Sequence, residues 1–510
     1  KKFMKNTIFC EFIVRYEHQS YNVISIHQKK GYGMTARITV VGGGPGGYAA
    51  ALKAALLGAD VTLIEKENLG GTCLNWGCIP SKIMKHSSEL LLKLQKAHTF
   101  GINVDGSMSV DMPALMKRKE EVLVAQRKGI ESLLLNRGVI IERGKGYIKD
   151  KGLVEVQLSE GGTREVEYDK LILAVGTKPL NIDAFPFDHK NILSSDDILS
   201  LQSVPSSVTI VGGGVIGCEF AFILSSLGAD VTVVEAMSRL LPLPAVDESC
   251  SKIIQREMKK RKIKFIVDKV VESAAPSEGG LTLNLAPSPF SGKDPAKIKG
   301  PETVETEKMA VCIGRSPLAG EIGLENIGLE LNSKGWIDAN LKMETSVKDV
   351  YAIGDILGPE KIMLAHVASH EGMVAADNAM GAETEMEYHA VPGAIFTMPE
   401  IGNVGITESA AKEKGIEAER HSVNFRTLGK AQAIGEIAGE ATLITEKDTK
   451  KILGVHITGP HATDLIAEGT LAVNKGLTAH DLAHTIHAHP TLAEILLEAG
   501  LKATGSPLHG

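Results

Sequence analysis

Two cysteines, Cys73 and Cys78, stand in the run GGTCLNWGCIPSK at 70–82. Thiols at close spacing can interconvert with a disulfide, which makes the pair a redox candidate. In an ideal helix this separation holds the two Cα atoms roughly 8.7 Å apart, from the rise and radius of the α-helix. A disulfide tolerates about 7 Å at most. A bridge therefore needs a helix that starts irregularly, and Gly77 and Pro80 are suited to distort it. The plain alternatives are two buried structural thiols or half a zinc site, and no second ligand pair accompanies them. Cys10, Cys218, Cys250 and Cys312 stand alone and read as packed thiols. Near the other end, HTIHAHPTLAE at 484–494 sets His489 before Pro490 and five residues ahead of Glu494. A histidine oriented by a carboxylate is the acid–base partner that thiol chemistry needs, because the thiolate is the nucleophile. The competing readings are a surface or capping histidine, or a metal-binding tract with His480, His484 and His487. That tract lacks cysteines or a second cluster, so no metal site is expected.

A third constellation is doubled. Gly42, Gly44 and Gly47 form GxGxxG, and so do Gly212, Gly214 and Gly217. In such a turn the first glycine permits the bend, the second lets the backbone approach a pyrophosphate, and the third lets helix pack on strand. The helix N-terminus then offers unpaired N–H groups to the phosphates. One GxGxxG is weak. Here each copy lies between an apolar run and an Ala- or Leu-rich stretch, with Glu65 or Glu235 18 positions past its last glycine. Those carboxylates are placed to accept from a ribose diol and would repel a 2′-phosphate. Two dinucleotides on one chain imply electron transfer between them, most simply FAD and NAD.

The elements that must hold these residues follow from an internal repeat. VVGGGPGG at 40–47 recurs in part as IVGGGVIG at 210–217, and LGADVTLIE at 57–65 as LGADVTVVE at 227–235, both at an offset of 170 residues. Each copy reads as strand, glycine turn, helix, strand: a βαβ unit with a parallel sheet. GLVEVQLSEGG and REVEYDKLILAVG read as antiparallel strands, and residues 275–301 as a loop-bearing meander. From about Tyr388 the texture changes to a mixed final domain.

The totals agree with several folded domains. The chain has 510 residues, 43% hydrophobic, with 53 glycines and a net charge of −7. That length suggests three or four domains. Interspersed charges advertise no nucleic-acid surface. The best membrane-span candidate, 40–59, is broken by glycines and Pro45 and is better explained by the nucleotide turn. Residues 1–33 differ in kind, holding six aromatics and six Lys/Arg against two Glu, so the remainder carries −11. They read as an appended segment outside the fold, with Met34 the natural start; their acids and aromatics argue against a transit peptide.

Taken jointly, these motifs resemble the disulfide oxidoreductase flavoproteins (the class I pyridine nucleotide-disulfide oxidoreductases), and within them the enzymes that oxidise dihydrolipoamide. The carriers are GGTCLNWGCIPSK, GGGVIGCEF, TSVKDVYAIGD at 345–355, MLAH at 363–366, FTMPEIGNVGITE and HAHPTLAE, and the likeness spans 35–505. It implies an α/β fold of two Rossmann-like dinucleotide-binding domains plus a mixed α+β C-terminal dimerisation domain. The implied boundaries are 34–185 for FAD, 186–314 for NAD, 315–388 for a central domain completing the FAD site, and 389–510 for the interface domain. It implies a homodimer whose active site is shared between subunits, which reconciles the distant cysteines and His489.

By matching positions, Glu65 is expected at the FAD ribose and Asp355 at the ribityl and phosphate region. Lys82 is expected near the reactive end of the flavin, paired with Glu219. Gly146, Gly176 and Thr177 would line the FAD path, with Met363, Leu364, Ala365 and His366 at the isoalloxazine. Glu235, Val270 and Gly314 would line the NAD site. Cys73 resembles the thiol that meets substrate, Cys78 the thiol that faces the flavin, and His489 the base oriented by Glu494. The implied partners are lipoyl-bearing protein domains of 2-oxoacid dehydrogenase or glycine cleavage complexes, with no nucleic acid and no membrane. The implied location is cytoplasmic of the bacterial type, with mitochondrial or plastid matrix left open.

The alternatives are a glutathione- or mercuric-reductase-like enzyme, or a mainly structural docking subunit. Glutathione reductases would want basic residues after the second unit, where Ala-Met-Ser follows Glu235 and only Arg239 is basic. Mercuric reductases would want a C-terminal cysteine pair, absent from GLKATGSPLHG. Three departures from the family pattern stand out: Trp76 between the cysteines, VASHEG after MLAH, and a long polar stretch at 276–301. Packing consequences rather than lost activity are expected of Trp76.

Overall fold

The run Arg37–Val41 is β-branched and buried after its first residue, so it forms a strand covered on both faces. Gly42 turns the chain, Gly44 caps the helix Pro45–Leu56 with proline at its first position, and the strand Asp60–Glu65 returns parallel to the first. The second copy follows the same plan: strand Ser207–Val211, helix Val215–Leu227, strand Asp230–Val234. Each element begins 170 residues after its counterpart. This computed structural model describes residues 35–509, so the N-terminal segment and Cys10 lie outside the described residues.

Each unit nucleates its own sheet. The first has seven strands, in the order Val350–Ala352, Lys170–Leu173, Arg37–Val41, Asp60–Glu65, Ile140–Asp150, Leu153–Leu158, Thr163–Glu167. Its first five are parallel; the sixth folds back antiparallel on the long fifth, and the seventh pairs antiparallel with the sixth. The antiparallel expectation for REVEYDKLILAVG therefore holds for Thr163–Glu167 and fails for Lys170–Leu173, which pairs parallel with Arg37–Val41. Its Leu171, Ile172 and Leu173 are fully buried, as a strand between two covered faces requires. The second sheet has five parallel strands, with Ser207–Val211 at its centre. Beside it lies the meander Lys269–Ser277, Gly280–Pro287, Thr303–Thr306, antiparallel throughout. The chain from 391 onward forms a five-stranded antiparallel sheet, backed by the helices Ala462–Lys475 and Glu494–Ala503 around Leu443, Val455, Ile457 and Ile495. Among the described residues no helix is long and apolar enough to cross a membrane.

Residues 315–388 return to the first sheet. They add the edge strand Val350–Ala352 and lay the helix Ala365–Ala379 along Pro45–Leu56. The two helices approach closely because small residues face each other. A Cβ on Gly372 would stand 2.4 Å from the Gly46 carbonyl oxygen. Ala50, Ala51 and Ala54 are fully buried beneath them. Gly372→Ala must push the helices apart and is expected to cost about 1–3 kcal/mol by overpacking. Urea unfolding followed by circular dichroism measures this; an unchanged midpoint would show that the interface yields without strain.

Candidate functional site

The two glycine turns share one internal geometry. The Gly42 amide donates to the Ile64 carbonyl at 2.8 Å, and the Gly212 amide to Val234 at 2.8 Å. Both glycines sit in the left-handed region, φ +105° and +104°, with a crossing strand end so near that a Cβ would meet Ala174 O at 2.3 Å or Cys312 O at 2.4 Å. The third glycines are as constrained: a Cβ on Gly47 would lie 1.8 Å from Gly42 O, and on Gly217 1.9 Å from Gly212 O. The middle glycines differ. A Cβ on Gly44 would meet nothing closer than the Gly71 Cα at 3.9 Å, and on Gly214 nothing within 4 Å. Their open faces line a cavity at the helix N-termini, a space that a side chain would occupy and a phosphate can enter.

The acidic residues are held in matching fashion. Glu65 accepts from the amides of Gly43 at 2.6 Å and Glu67 at 2.7 Å, and Glu235 from those of Gly213 at 2.5 Å and Met237 at 2.7 Å. Each carboxylate oxygen keeps a second lone pair for a ribose hydroxyl. Burial pushes the Glu65 carboxyl up against the pull of its two amides.

One cavity of about 1900 Å³ runs along both turns. Single-ligand pockets are commonly about 300–1,000 Å³, so its size suits two ligands. Of the sequence-derived residues, its wall includes Gly42, Gly44, Glu65, Cys73, Cys78, Lys82, Gly146, Gly176, Thr177, Asp355 and the segment 363–366. On the side of the second unit it includes Gly212, Gly214, Glu219, Glu235, Val270 and Gly314. Gly47 and Gly217 lie beneath, where helix meets strand. His489 and Glu494 are elsewhere.

The cysteines occupy the seam between the two units. Cys73 belongs to the short helix Gly71–Trp76, and Cys78 begins the helix Cys78–Gln95. Between them Gly77 leaves helical geometry, at φ −150° and ψ −106°, so the axis breaks between the sulfurs. Both are thiols here and hydrogen-bond to each other. The Cys78 thiol is lowered to about 7, first by the hydrogen bond from Cys73 and then by the Lys82 ammonium, against burial and Glu219. The Cys73 thiol is pushed up by donating that hydrogen bond and by burial. Of the two, Cys78 is the sulfur whose environment favours ionisation. Lys82 Nζ lies 2.9 Å from Glu219 Oε2 and 4.1 Å above the Phe396 ring, while Glu219 Oε1 accepts from the Phe396 amide at 2.9 Å. One turn on, Lys85 is buried between Glu89 and Glu400, each at 2.7 Å, tying the cysteine helix to the C-terminal sheet. Trp76 lines the cavity with its ring part-exposed.

Three residues absent from the sequence reasoning organise this wall. Asn75 donates to the carbonyls of Leu69 at 3.1 Å and Gly71 at 2.9 Å and accepts from Arg127 at 3.0 Å, which fixes the loop before Cys73. Arg315 donates to Thr177 Oγ1 at 2.7 Å and Thr177 O at 2.9 Å, and Thr177 in turn donates to Asp355 Oδ2 at 3.0 Å. Glu371 is 1% exposed, accepting from the Gly354 amide at 2.7 Å and from Tyr388 Oη at 2.6 Å. Burial pushes the Glu371 carboxyl up to about 6, against those donors. Arg315 directly follows Gly314, and Glu371 lies within the divergent VASHEG run, so only adjacency to known motifs could have flagged them.

His489 is 76% exposed, and its Nδ1 lies 2.9 Å from Glu494 Oε1. The Thr491 amide donates to Glu494 Oε2 at 2.9 Å. Burial raises the Glu494 carboxyl, but the Thr491 amide and His489 outweigh it and hold it below the usual range. One chain therefore assembles the His–Glu pair and the dithiol separately.

Comparison with known proteins follows these divisions. Residues 36–372 match the pyridine nucleotide-disulphide oxidoreductase family, and residues 391–499 match its dimerisation domain. The dihydrolipoyl dehydrogenase of Chlamydia trachomatis is 39% identical over 472 residues, covering 92% of this chain and 97% of that protein. That of Geobacillus stearothermophilus is 36% identical, covering 92% and 96%. The crystal structure of LpdA from Mycobacterium tuberculosis superimposes with a TM-score of 0.83 at 26% identity, covering 92% of this chain and 99% of that one.

In the reduced protein, alkylation of Cys78 by iodoacetamide is expected to reach half its limiting rate near pH 7, the thiolate being the reactive form. Lys82→Met removes the cation and should move that midpoint upward. Peptide mass spectrometry across pH reads both; a midpoint at the ordinary thiol value in the parent protein would refute the thiolate assignment.

Proposed function

The chain belongs to the pyridine nucleotide-disulphide oxidoreductase family, and from that premise we propose that it oxidises protein-bound dihydrolipoamide to lipoamide with reduction of NAD⁺. The observation that carries this reading is the Cys73–Cys78 dithiol, which shares one cavity with the Lys82–Glu219 ion pair and with two glycine-turn cradles. The family uses FAD and NAD. We assign FAD to the first cradle, held by Gly42, Gly44, Glu65, Thr177 and Asp355, and NAD to the second, held by Gly212, Gly214, Glu235 and Val270. The chemistry FAD supplies when bound is to relay an electron pair from the dithiol to NAD⁺.

The protein residues then divide the work. In the oxidised enzyme Cys73 and Cys78 form a disulfide. His489 of the partner subunit takes a proton from one substrate thiol, and the resulting thiolate attacks the Cys73 sulfur. Cys78 leaves as the thiolate that the Cys73 and Lys82 environment favours. The second substrate thiol attacks the substrate sulfur of the mixed disulfide and gives its proton to the Cys73 sulfur as that leaves, so lipoamide departs with a new S–S bond, Cys73 is left as thiol and Cys78 as thiolate. Glu494 holds the imidazole in the tautomer whose Nε2 accepts, and stabilises the imidazolium once the proton arrives. The match to a dimerisation domain and the exposure of His489 support a homodimer with two shared sites. The reading extends to lipoyl-bearing domains of 2-oxoacid dehydrogenase or glycine cleavage complexes as partners and to a cytoplasmic location.

The test compares dihydrolipoamide with glutathione, each with NAD and NADP. Rapid NAD reduction by dihydrolipoamide is expected, and none at any ordinary pH would sink the proposal. His489→Gln should lower kcat by about 10²–10⁴-fold, the usual scale for loss of a general base. Cys73→Ser should abolish turnover. If the site is shared, co-expressing the Cys73→Ser and His489→Gln chains should restore activity that neither has alone; silence of the mixed dimer would place both groups within one subunit.

A further inference from the structure

Phe290 is a large apolar side chain left 67% exposed, yet it forms part of the wall of the dinucleotide cavity. It belongs to the polar loop that joins the strands Gly280–Pro287 and Thr303–Thr306, in the stretch that departs from the family pattern. That loop is fastened at both ends to the residues beside Val270. At its start, the Ser288 amide donates to the Asp268 carbonyl at 2.8 Å, Ser288 Oγ accepts from the Phe290 amide at 3.1 Å, and Lys293 pairs with the Asp268 carboxylate at 2.6 Å. At its end, the buried Lys269 donates to the carbonyls of Gly300 at 3.4 Å and Pro301 at 2.8 Å. Asp268 and Lys269 are themselves bound to the loop after Glu235, through Asp268 N to Met237 O at 3.0 Å and Lys269 N to Glu235 O at 3.2 Å. The loop is thus built onto the end of the cavity that holds the ribose-accepting carboxylate, and it presents there one flat apolar ring.

We propose that Phe290 is an affinity-determining residue of the second cradle, a stacking platform for the adenine ring of the nicotinamide dinucleotide. This rests on the reading that Glu235 receives the adenosine ribose, because the base is joined to that ribose and must lie on the same wall. An aromatic face half open to water gains by covering a base, and such stacking tolerates any purine or pyrimidine because every base has a π-face. Lys293 contributes by holding the loop through Asp268, not by touching the nucleotide.

The experiment titrates the FAD-loaded full-length protein with ADP-ribose in a calorimeter, and measures KM for NADH and for reduced nicotinamide mononucleotide, which has no adenine. Phe290→Ala is expected to weaken ADP-ribose and raise the NADH KM roughly tenfold, within the range found when a stacked aromatic is removed. Its KM for the mononucleotide and its kcat should not move. Phe290→Trp should bind ADP-ribose like the parent, which separates lost stacking from a disturbed loop. Lys293→Ala should weaken ADP-ribose by a smaller factor in the same direction. Equal affinity of the parent and Phe290→Ala for ADP-ribose overturns the inference alone. Failure of the parent itself to bind ADP-ribose overturns the assignment of the second cradle and the inference with it.

Discussion

A continuous helix through residues 71–95 would hold the sulfurs of Cys73 and Cys78 on different turns, too far apart to meet. The break at Gly77 ends one helix at Trp76 and starts the next at Cys78, which brings the thiols into hydrogen-bonding contact. Much else in the molecule secures that break. Asn75 ties the preceding loop to the carbonyls of Leu69 and Gly71 from one side. Lys85 ties the following helix to Glu400 in the C-terminal sheet from the other. Gly71, at the start of the short helix, stacks against Gly44 so closely that a Cβ there would lie 2.7 Å from the Gly44 Cα. The dithiol segment is thus packed directly against the first glycine turn, so the two share one end of the cavity.

The duplication gives one cavity two matching cradles. Both units present a glycine turn, a helix N-terminus and a backbone-held glutamate in the same relative places. Beside the cysteines, an ion pair links them. Lys82 comes from the cysteine helix after the first unit, Glu219 from the second unit's own helix, and the C-terminal segment supplies the Phe396 ring and amide that flank both. Three parts of the chain therefore converge on the atoms next to Cys78.

Much of this was legible in the residues. The glycine turns, Glu65, Glu235 and the 170-residue offset are local patterns, and a local pattern survives translation into structure because each unit folds around its own strand, turn and helix. The need for a distorted helix between the cysteines followed from distance alone. Apart from the pairing of Lys82 with Glu219, which the family resemblance implies, contacts made across the chain were not legible. Arg315 reaches Thr177, 138 residues away, and Glu371 reaches Tyr388 across the connection to the final domain. No periodicity marks such partners, since each is an ordinary charged residue until the fold closes. Lys170–Leu173 departs from its expected pairing for a related reason: three apolar residues, Leu171 to Leu173, after an antiparallel hairpin look like its continuation, and only the buried neighbour Arg37–Val41 decides otherwise. The surface position of His489 is likewise a property of the single chain's packing, invisible in HAHPTLAE itself.

The pairing of Lys82 with Glu219 has a consequence for charge. While the cysteines are bridged, the ammonium faces one anion and the pair is neutral. Reduction places a second anion, the Cys78 thiolate, beside the same cation. The other Glu219 oxygen is held by the Phe396 amide. The lysine's field is then shared between two anions: Lys82 favours the thiolate while the Glu219 carboxylate opposes it, so one cation serves both a fixed charge and a charge that comes and goes with the redox state.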